Sequence, residues 1–302
     1  MTRRLLLALG LILAALLAVP QGASADDKMK VAASFSILGD MVKQVGGDRV
    51  DVVTFVGPNG DAHVYEPTPA DAKALSESKI LFINGLGLEG WMTRLENSSG
   101  FKGKVVTAST GVNPRKMVED EKTITDPHAW QSLANGKIYA ANIRDALIAA
   151  DPAGKATYEA NAKKFIDGMT AMEANVKAAV AKMPPERRKI ITTHDAFGYF
   201  GSAYGMEFIA PEGVSTESEA SAQDVAKIIT QIKKEHIPAV FLENVTDSRL
   251  LDQIASETGA KIGGTLYSMR SPHPTDQPGT ISTCSATISI RSALLCLPKL
   301  LQ

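Results

Sequence analysis

The sequence predicts an α/β protein made of two similar lobes, each with a parallel sheet flanked by helices, joined by one long backbone helix. Apolar stretches of strand length alternate with amphipathic stretches of helix length, and the alternation starts again at Lys189. Between the two halves, residues 153–183 are rich in Ala, Lys, Glu and Met. A helix over that stretch would be about 40 Å long, which is enough to connect two domains.

The chain divides into five parts on this interpretation. They are a leader at 1–25, a first lobe at 26–150, a linking helix at 151–185, a second lobe at 186–268 and a tail at 269–302.

The first lobe is predicted to contain four strands, three of them apolar or β-branched runs. The strands are 31–35, 50–56, 80–83 and a short one at Val105 and Val106, with helices at 37–45, 69–77 and 136–150. The glycine-rich run at 85–90 lacks the spacing and the Lys-Ser/Thr pair of a phosphate-binding loop, so it predicts a turn.

The second lobe repeats this alternation after the linking helix. Its predicted strands are 189–193, 206–209, 239–242 and 261–266, and its predicted helices are 197–204, 221–235 and 248–258. The helix at 221–235 places Val225, Ile228 and Ile232 on one face, as a helix that covers a sheet requires.

The first 25 residues have the three parts of a secretory signal peptide. Arg3 and Arg4 form a basic start, residues 5–19 are apolar, and small residues lead to a cleavage site near Ala25. The apolar run is short for a membrane span, and no cysteine follows it as a site for lipid attachment. We expect an exported, soluble mature protein.

Composition excludes some classes of partner. The formal charge is −1 and no basic stripe is present, so nucleic acid is not an expected partner. Both cysteines, Cys284 and Cys296, lie in the tail, so a metal site in the main body would have to be built without thiols. The protein is expected to be a monomer.

Three histidines, His63, His128 and His194, lie in loops that follow predicted strands. A single histidine in a loop is ordinarily a solvated residue, but three at comparable places in a repeating pattern predict a metal site. A set of three imidazoles suits zinc, and affinity should fall below about pH 6.5 because each ring must be deprotonated to bind. His236 ends a Lys-rich helix and is expected to be solvated.

Other residues near these loops have two interpretations each. Glu66 and Asp195 are candidates to accept hydrogen bonds from the rings, or are ordinary turn residues. Trp130 either walls one side of the site or caps the core. Three histidines with an open fourth position also describe a zinc hydrolase. No second general base lies in a matching motif, so no enzyme is expected.

The motifs around the three histidines resemble one known family. They are GDAHVYEP at 60–67, DPHAW at 126–130 and ITTHDAFGYF at 191–200. In order and spacing, residues 28–268 resemble the periplasmic metal-binding proteins of ABC importers for zinc and manganese. The resemblance implies two lobes joined by a long helix, a metal in the cleft between them, and a permease partner in the inner membrane. It implies His63, His128 and His194 as ligands.

The resemblance also bears on the choice of metal. Manganese-directed relatives tend to have glutamate at the third position, whereas this chain has His194, and an all-imidazole set favours zinc. Many zinc relatives carry a His-rich acidic loop before the second ligand, but residues 119–125 contain acids and no histidine. Zinc is therefore expected, with manganese as the alternative.

The tail departs from the family pattern after Ser268. The family continues Asp-Ala-Leu-Ser, and its aspartate is the fourth ligand, whereas this chain continues with Met269 and Arg270. Codons permitted for the observed residues can be regrouped one base earlier to encode the family pattern. We interpret the tail as a single-base frameshift; the alternative is a divergent ending. Water or Asp276 would then complete the metal site.

Overall fold

The computed structural model describes residues 28–119, 121–217, 219–237 and 239–269. The predicted signal peptide lies outside the described residues, as does the tail from residue 270, with Asp276. Within the described part, the two α/β lobes and the long helix between them are confirmed. The domain boundaries drawn from the sequence stay predictions.

The first lobe is a parallel sheet covered by helices. Its strands are β1 (Met29–Phe35), β2 (Val50–Val56), β3 (Ile80–Ile83) and β4 (Lys104–Thr107), in the order β2-β1-β3-β4. Its helices are α1 (Ser36–Gly46), α2 (Pro69–Ser76), α3 (Met92–Ser99) and α4 (Leu133–Ala150). Strand β1 is buried along almost its whole length, because helices cover both faces of a parallel sheet.

The start of α2 shows how local sequence sets an element. Thr68 accepts a hydrogen bond from the Asp71 amide, and the Asp71 carboxylate accepts one from the Thr68 amide in return. Pro69 occupies the first turn, where its missing N–H is not needed.

A hairpin that the sequence analysis did not predict precedes His128. Its strands, β5 (Lys116–Glu119) and β6 (Lys122–Thr125), pair antiparallel in a separate two-stranded sheet. Both strands are largely exposed, and they lack the apolar run from which a buried strand is predicted. The expectation that all three histidines follow strands of a repeating βα pattern is therefore wrong for His128.

The linking helix α5 (Lys155–Ala181) has 27 residues, about 40 Å of helix. It packs along α1 and α4, and it buries Tyr158, Phe165 and Met169 against the first lobe. Two of its neighbours in sequence are short 3₁₀ turns, Pro152–Gly154 and Pro185–Arg187, which mark its ends.

The second lobe repeats the topology of the first. Its strands are β7 (Lys189–Ile191), β8 (Glu207–Ile209), β9 (Ala239–Glu243) and β10 (Lys261–Leu266), and its helices are α6 (Gly198–Tyr204), α7 (Ala222–Glu235) and α8 (Arg249–Thr258). The sheet order is β10-β9-β7-β8. Counted from its own first strand, each lobe therefore places its second strand beside the first, and its third and fourth strands on the other side.

Tyrosines of α6 fasten the second lobe to the first. The Tyr199 hydroxyl accepts a hydrogen bond from the Arg115 amide at 2.8 Å and donates one to the Asp126 carbonyl at 3.1 Å. The Tyr204 hydroxyl accepts a bond from the Leu133 amide. Gly198 leaves room here for the Arg115 guanidinium, which a Cβ would push aside.

The glycine-rich run at 85–90 is a turn closed by a carboxylate. Glu89 accepts hydrogen bonds from the amides of Asn84 at 2.6 Å and Gly85 at 3.1 Å, and from the Ser34 hydroxyl. These donors are occupied from within the chain, as expected of a turn and not of a phosphate-binding loop.

In the described part of the chain, no helix combines the length and the apolar character needed to cross a bilayer.

Candidate metal centre

His63 lies in the loop that follows β2. Gly57 and Gly60 close a turn, with the Gly60 amide 3.0 Å from the Gly57 carbonyl, and the His63 amide then donates to Asp61 Oδ1 at 2.8 Å. The Trp91 indole N–H donates a hydrogen bond to the Ala62 carbonyl at 2.8 Å, which holds the same loop in place. His63 is 7% exposed, so this short loop buries an imidazole.

His128 follows the β5–β6 hairpin and is held by a residue of its own loop. Asp126 Oδ1 accepts from the His128 amide at 2.9 Å and lies 2.9 Å from its ring Nδ1. The second oxygen, Oδ2, accepts from the Arg115 guanidinium at 3.0 Å. With Nδ1 bonded to a carboxylate, Nε2 is the nitrogen left for a ligand.

His194 follows β7 and is held by a residue far away in the sequence. Glu243, at the end of β9, accepts from the amides of Thr193 at 3.0 Å and His194 at 2.9 Å through Oε1. Its Oε2 lies 2.7 Å from the ring Nδ1 of His194. Strands β7 and β9 are adjacent where the chain changes direction across the sheet, and the carboxyl ends of strands at such a point form a crevice that suits a ligand.

The three rings meet in one buried cluster. One ring nitrogen from each of His63, His128 and His194 can be chosen so that all lie within 4.8 Å of one another. The rings of His63 and His128 bring their Nε2 atoms to 3.2 Å, and the centroids of His128 and His194 are 5.3 Å apart. Two rings come from the first lobe and one from the second, so the cluster spans the cleft.

The electrostatics of the cluster differ between His63 and His194. Burial, with smaller contributions from the neighbouring rings, lowers the pKa of His63 to about 2, so this ring keeps a free lone pair. Burial alone would also lower the pKa of His194, but the carboxylate of Glu243 raises it. The pKa of Glu243 is lowered in turn, since the attraction of His194 outweighs the cost of burial. A metal ion bound at Nε2 of His194 would displace the proton on that nitrogen and leave the Nδ1 proton beside Glu243.

Trp130 walls one side of the cluster. Its ring centroid lies 5.2 Å from that of His128 and 4.7 Å from that of Phe35. Its indole N–H donates to the Ser268 carbonyl at 3.0 Å, which links this wall to the end of β10 in the second lobe. Trp130 belongs to the hydrophobic core and also lies beside His128, so both of its predicted roles apply.

The predicted carboxylate partners need correction. Glu66 is exposed, and neither its side chain nor that of Asp195 hydrogen-bonds a histidine ring among the described residues. Asp126 bonds the ring of His128, and the Glu243 carboxylate lies 2.7 Å from the ring Nδ1 of His194 as an ion-pair contact. The motif DPHAW contains Asp126 and could have indicated this role, because an aspartate side chain commonly accepts a hydrogen bond from the backbone amide two residues further along the chain. No local signal points to Glu243. His236 is exposed at the end of α7, away from the cluster.

Comparison with known proteins gives a consistent result. Residues 31–283 match the family described as zinc-uptake complex component A, periplasmic. The chain is 34% identical to the metal ABC transporter substrate-binding lipoprotein SsaB of Streptococcus sanguinis, over 82% of each chain. It is 32% identical to the manganese-binding lipoprotein MntA of Halalkalibacterium halodurans, over 87% of each.

Solved structures share the whole fold. A manganese-bound periplasmic metal binding protein from Candidatus Liberibacter asiaticus is 30% identical, with a TM-score of 0.78 over 90% of this chain and 100% of that one. The periplasmic zinc binding protein TroA from Treponema pallidum is 25% identical, with a TM-score of 0.82 over 90% and 99%.

These relatives are binding components of transporters, so the zinc hydrolase is set aside. Membership also implies export from the cytoplasm and an ABC permease as partner. With its two lobes, its linking helix and its match over most of its length, the chain belongs to the family of substrate-binding proteins of metal ABC importers.

Proposed function

We propose that this protein captures Zn²⁺ with His63, His128 and His194 and delivers it to an ABC permease. The observation that carries the proposal is the buried cluster of three ring nitrogens within 4.8 Å, drawn from both lobes. A metal bound there ties the lobes together, so the loaded protein differs in shape or order from the empty one, and a permease can respond to that difference.

The geometry of the rings supports zinc. Two nitrogens on one tetrahedral zinc, with bonds of about 2.0–2.1 Å, are about 3.3 Å apart. The Nε2 atoms of His63 and His128 are 3.2 Å apart. No hydrogen-bond partner is described for the buried Nε2 of His194, as expected of an atom that waits for a ligand.

Manganese is the second candidate, because several relatives at 32–34% identity are named as manganese-binding proteins. Manganese prefers carboxylate and water oxygens. In this chain the Asp126 and Glu243 carboxylates lie against the Nδ1 atoms of His128 and His194. The group of described residues that could hold a metal consists of three imidazoles, which favours zinc.

A fourth ligand is not supplied by the described residues. The cluster that could hold a metal comprises the three histidines alone in the part of the chain that the structure covers. We infer that water or Asp276, which lies outside the described residues, takes the fourth position. A zinc with three imidazoles keeps one exchangeable position. The frameshift interpretation, cleavage near Ala25 and the monomeric state stay predictions.

Equilibrium dialysis tests the proposal directly. The mature protein is expected to bind one Zn²⁺ per chain, and the variant with all three histidines replaced by alanine is expected to bind none at that site. Binding unchanged in the triple variant would rule out the cluster as the metal site.

The choice of metal needs a test in cells. Zinc outcompetes manganese at most sites whatever their purpose, so competition in solution does not decide. Growth rescue in strains lacking either the zinc or the manganese importer does. Rescue under zinc limitation is expected, and rescue only under manganese limitation would identify manganese as the cargo.

A further inference from the structure

A short segment of the second lobe, residues 212–216, runs beside the His194 loop. The Glu212 amide donates to the Thr193 carbonyl at 3.2 Å, and the Asp195 amide donates to the Gly213 carbonyl at 3.0 Å. These bonds lie on either side of His194 and form a short parallel bridge with it. The segment is therefore fixed at its start to the backbone that carries the second-lobe ligand.

The other end of this segment reaches the first lobe. The Thr216 hydroxyl donates to Asp61 Oδ2, a hydrogen bond between residues 155 positions apart. The other oxygen of the same carboxylate, Oδ1, accepts from the His63 amide at 2.8 Å. Asp61 thus holds the His63 loop with one oxygen and the second lobe with the other. Residues 212–216, which we name the strap, connect the His194 loop to the His63 loop.

Few of the described side-chain hydrogen bonds join the two lobes near the strap. Around the His128 loop, the lobes are fastened by Tyr199 and by the bonds from Trp130 and Gln131 to the Ser268 carbonyl. Around the His63 loop, the described side-chain hydrogen bonds to the second lobe are the one from Thr216 and a longer one, at 3.4 Å, from Asn244 to the Pro58 carbonyl. Thr216 therefore supplies the shorter of these two hydrogen bonds.

The hydrogen bond between Thr216 and Asp61 also lies where water can reach it. Asp61 and Thr216 line a cavity of about 480 Å³, together with Glu212, Glu219 and Arg249. Both residues are half-buried, so water from the cavity can replace the hydrogen bond when it breaks. A contact of this kind forms and breaks without disturbing the core of either lobe.

We propose that Thr216 is a positioning residue that holds His63 against the second lobe and so sets the rate at which the metal leaves. This rests on the proposed function, since it requires the metal to sit among the three histidines. Release begins when one ring withdraws. With the strap in place, the His63 loop stays beside the second lobe and the ring rebinds. Without it, the loop moves away and the metal escapes.

The test compares two variants of one side chain in the full mature protein. Thr216→Val keeps the shape and removes the hydroxyl, whereas Thr216→Ser keeps the hydroxyl. Zinc release into an excess of chelator, followed by stopped flow, is expected to be about tenfold faster in Thr216→Val and close to wild type in Thr216→Ser. Association of Zn²⁺ should change little in either variant.

Thr230→Val is the matched control, because it makes the same change at an exposed position of α7, where the hydroxyl bonds the Ala226 carbonyl within the helix. Its release rate should equal that of the wild type. Thr216→Ala serves as a second hydroxyl-free variant, so that poor folding of one does not decide the result. Melting temperatures separate a structural role from the proposed one, because loss of the strap should reduce the rise on adding zinc more than it lowers that of the metal-free protein.

Release as slow in Thr216→Val and Thr216→Ala as in the wild type would overturn the role of Thr216. So would an equal fall in melting temperature with and without zinc. Either result leaves the proposed function intact, because the wild-type protein still binds Zn²⁺ in dialysis. Absence of zinc binding in the wild type would instead overturn the proposed function itself.

Discussion

His128 and His194 are held by the same device, built in two different ways. In each case one carboxylate contacts both the backbone amide and the ring Nδ1 of the same histidine. For His128 the carboxylate is Asp126, two residues away. For His194 it is Glu243, 49 residues away on β9. One ligand is positioned by its own loop, and the other by the pairing of two strands.

The difference has a physical origin. An aspartate side chain is short and commonly bonds the backbone two residues on, so Asp126 can bond the His128 amide within the loop. Glu243 can contact His194 only because β7 and β9 are neighbours in the sheet, which brings the ends of both strands together. The same chemistry therefore depends on local geometry in the first lobe and on the whole sheet in the second.

The largest effect is expected from removing the rings themselves. His63→Ala, His128→Ala and His194→Ala should each weaken zinc binding by more than about 100-fold, beyond the loss seen when an outer partner is removed. Equilibrium dialysis measures this, with His236→Ala as the control because that ring is exposed and distant. Near-wild-type affinity in any one of the three would remove that histidine from the site and break the comparison.

The next effect concerns the two carboxylates. Asp126→Asn and Glu243→Gln are each expected to weaken zinc binding by about 10- to 100-fold. An amide can turn its NH₂ group toward the ring Nδ1, which then accepts, and the proton moves to Nε2. The ligand nitrogen is then blocked. Isothermal titration measures the affinity, and NMR of the ring nitrogens reports which nitrogen carries the proton.

Asp195→Asn and Glu66→Gln are the matched controls for those two variants. Both positions were predicted as ring partners, but neither side chain contacts a ring through a hydrogen bond in the described structure. Their affinities should stay within about threefold of the wild type. A larger loss in a control than in Asp126→Asn would mean that the predicted partners are the working ones.

The site illustrates what the sequence can predict and what it cannot. Most strand and helix positions in both lobes follow from apolar patterning, and the predicted strand at Ile80–Ile83 agrees with the structure at both ends, whereas helix α3 was not predicted. His63, His128 and His194 stand out because imidazoles have no structural reason to lie in these loops. Glu243 could not be found, since only strand order brings it to His194. The β5–β6 hairpin was missed because its residues are exposed.

A smaller effect is expected from Arg115, the second partner of Asp126. Its guanidinium is about one-third exposed, so its attraction to the carboxylate is weakened by solvent. Arg115→Gln should weaken zinc binding by about two- to fivefold, well below the loss in Asp126→Asn. Arg144→Gln, which breaks an ion pair with Asp145 on α4, is the control. A loss as large as that in Asp126→Asn would show that Asp126 needs its ion pair to hold the ring.

The last effect concerns stability instead of zinc affinity, at a carboxylate that has no ion-pair partner among the described residues. Asp40 lies in α1, and its Oδ2 is buried without a hydrogen-bond partner among the described residues. Burial raises the pKa of Asp40 to about 7, against the opposing effect of a hydrogen bond from Gln44. In Asp126 and Glu243, by contrast, a neighbouring histidine outweighs burial, and the pKa of each is lowered.

This contrast predicts how stability varies with pH. An aspartate in the unfolded chain releases its proton near pH 3.9, whereas folded Asp40 keeps it to about pH 7. The folded state binds more protons between these values, so this residue's contribution to stability is present at low pH and is lost as the pH rises through 7. Asp40→Asn should therefore stabilise the metal-free protein at pH 8 by up to about 4 kcal/mol and have little advantage at pH 4. Urea unfolding at both pH values measures the difference, with Asp48→Asn, an exposed neighbour, as the control. An advantage for Asp40→Asn that stays constant with pH would mean that Asp40 does not titrate between these values, and that burial without a positively charged neighbour costs this carboxylate less than the contrast with Asp126 implies.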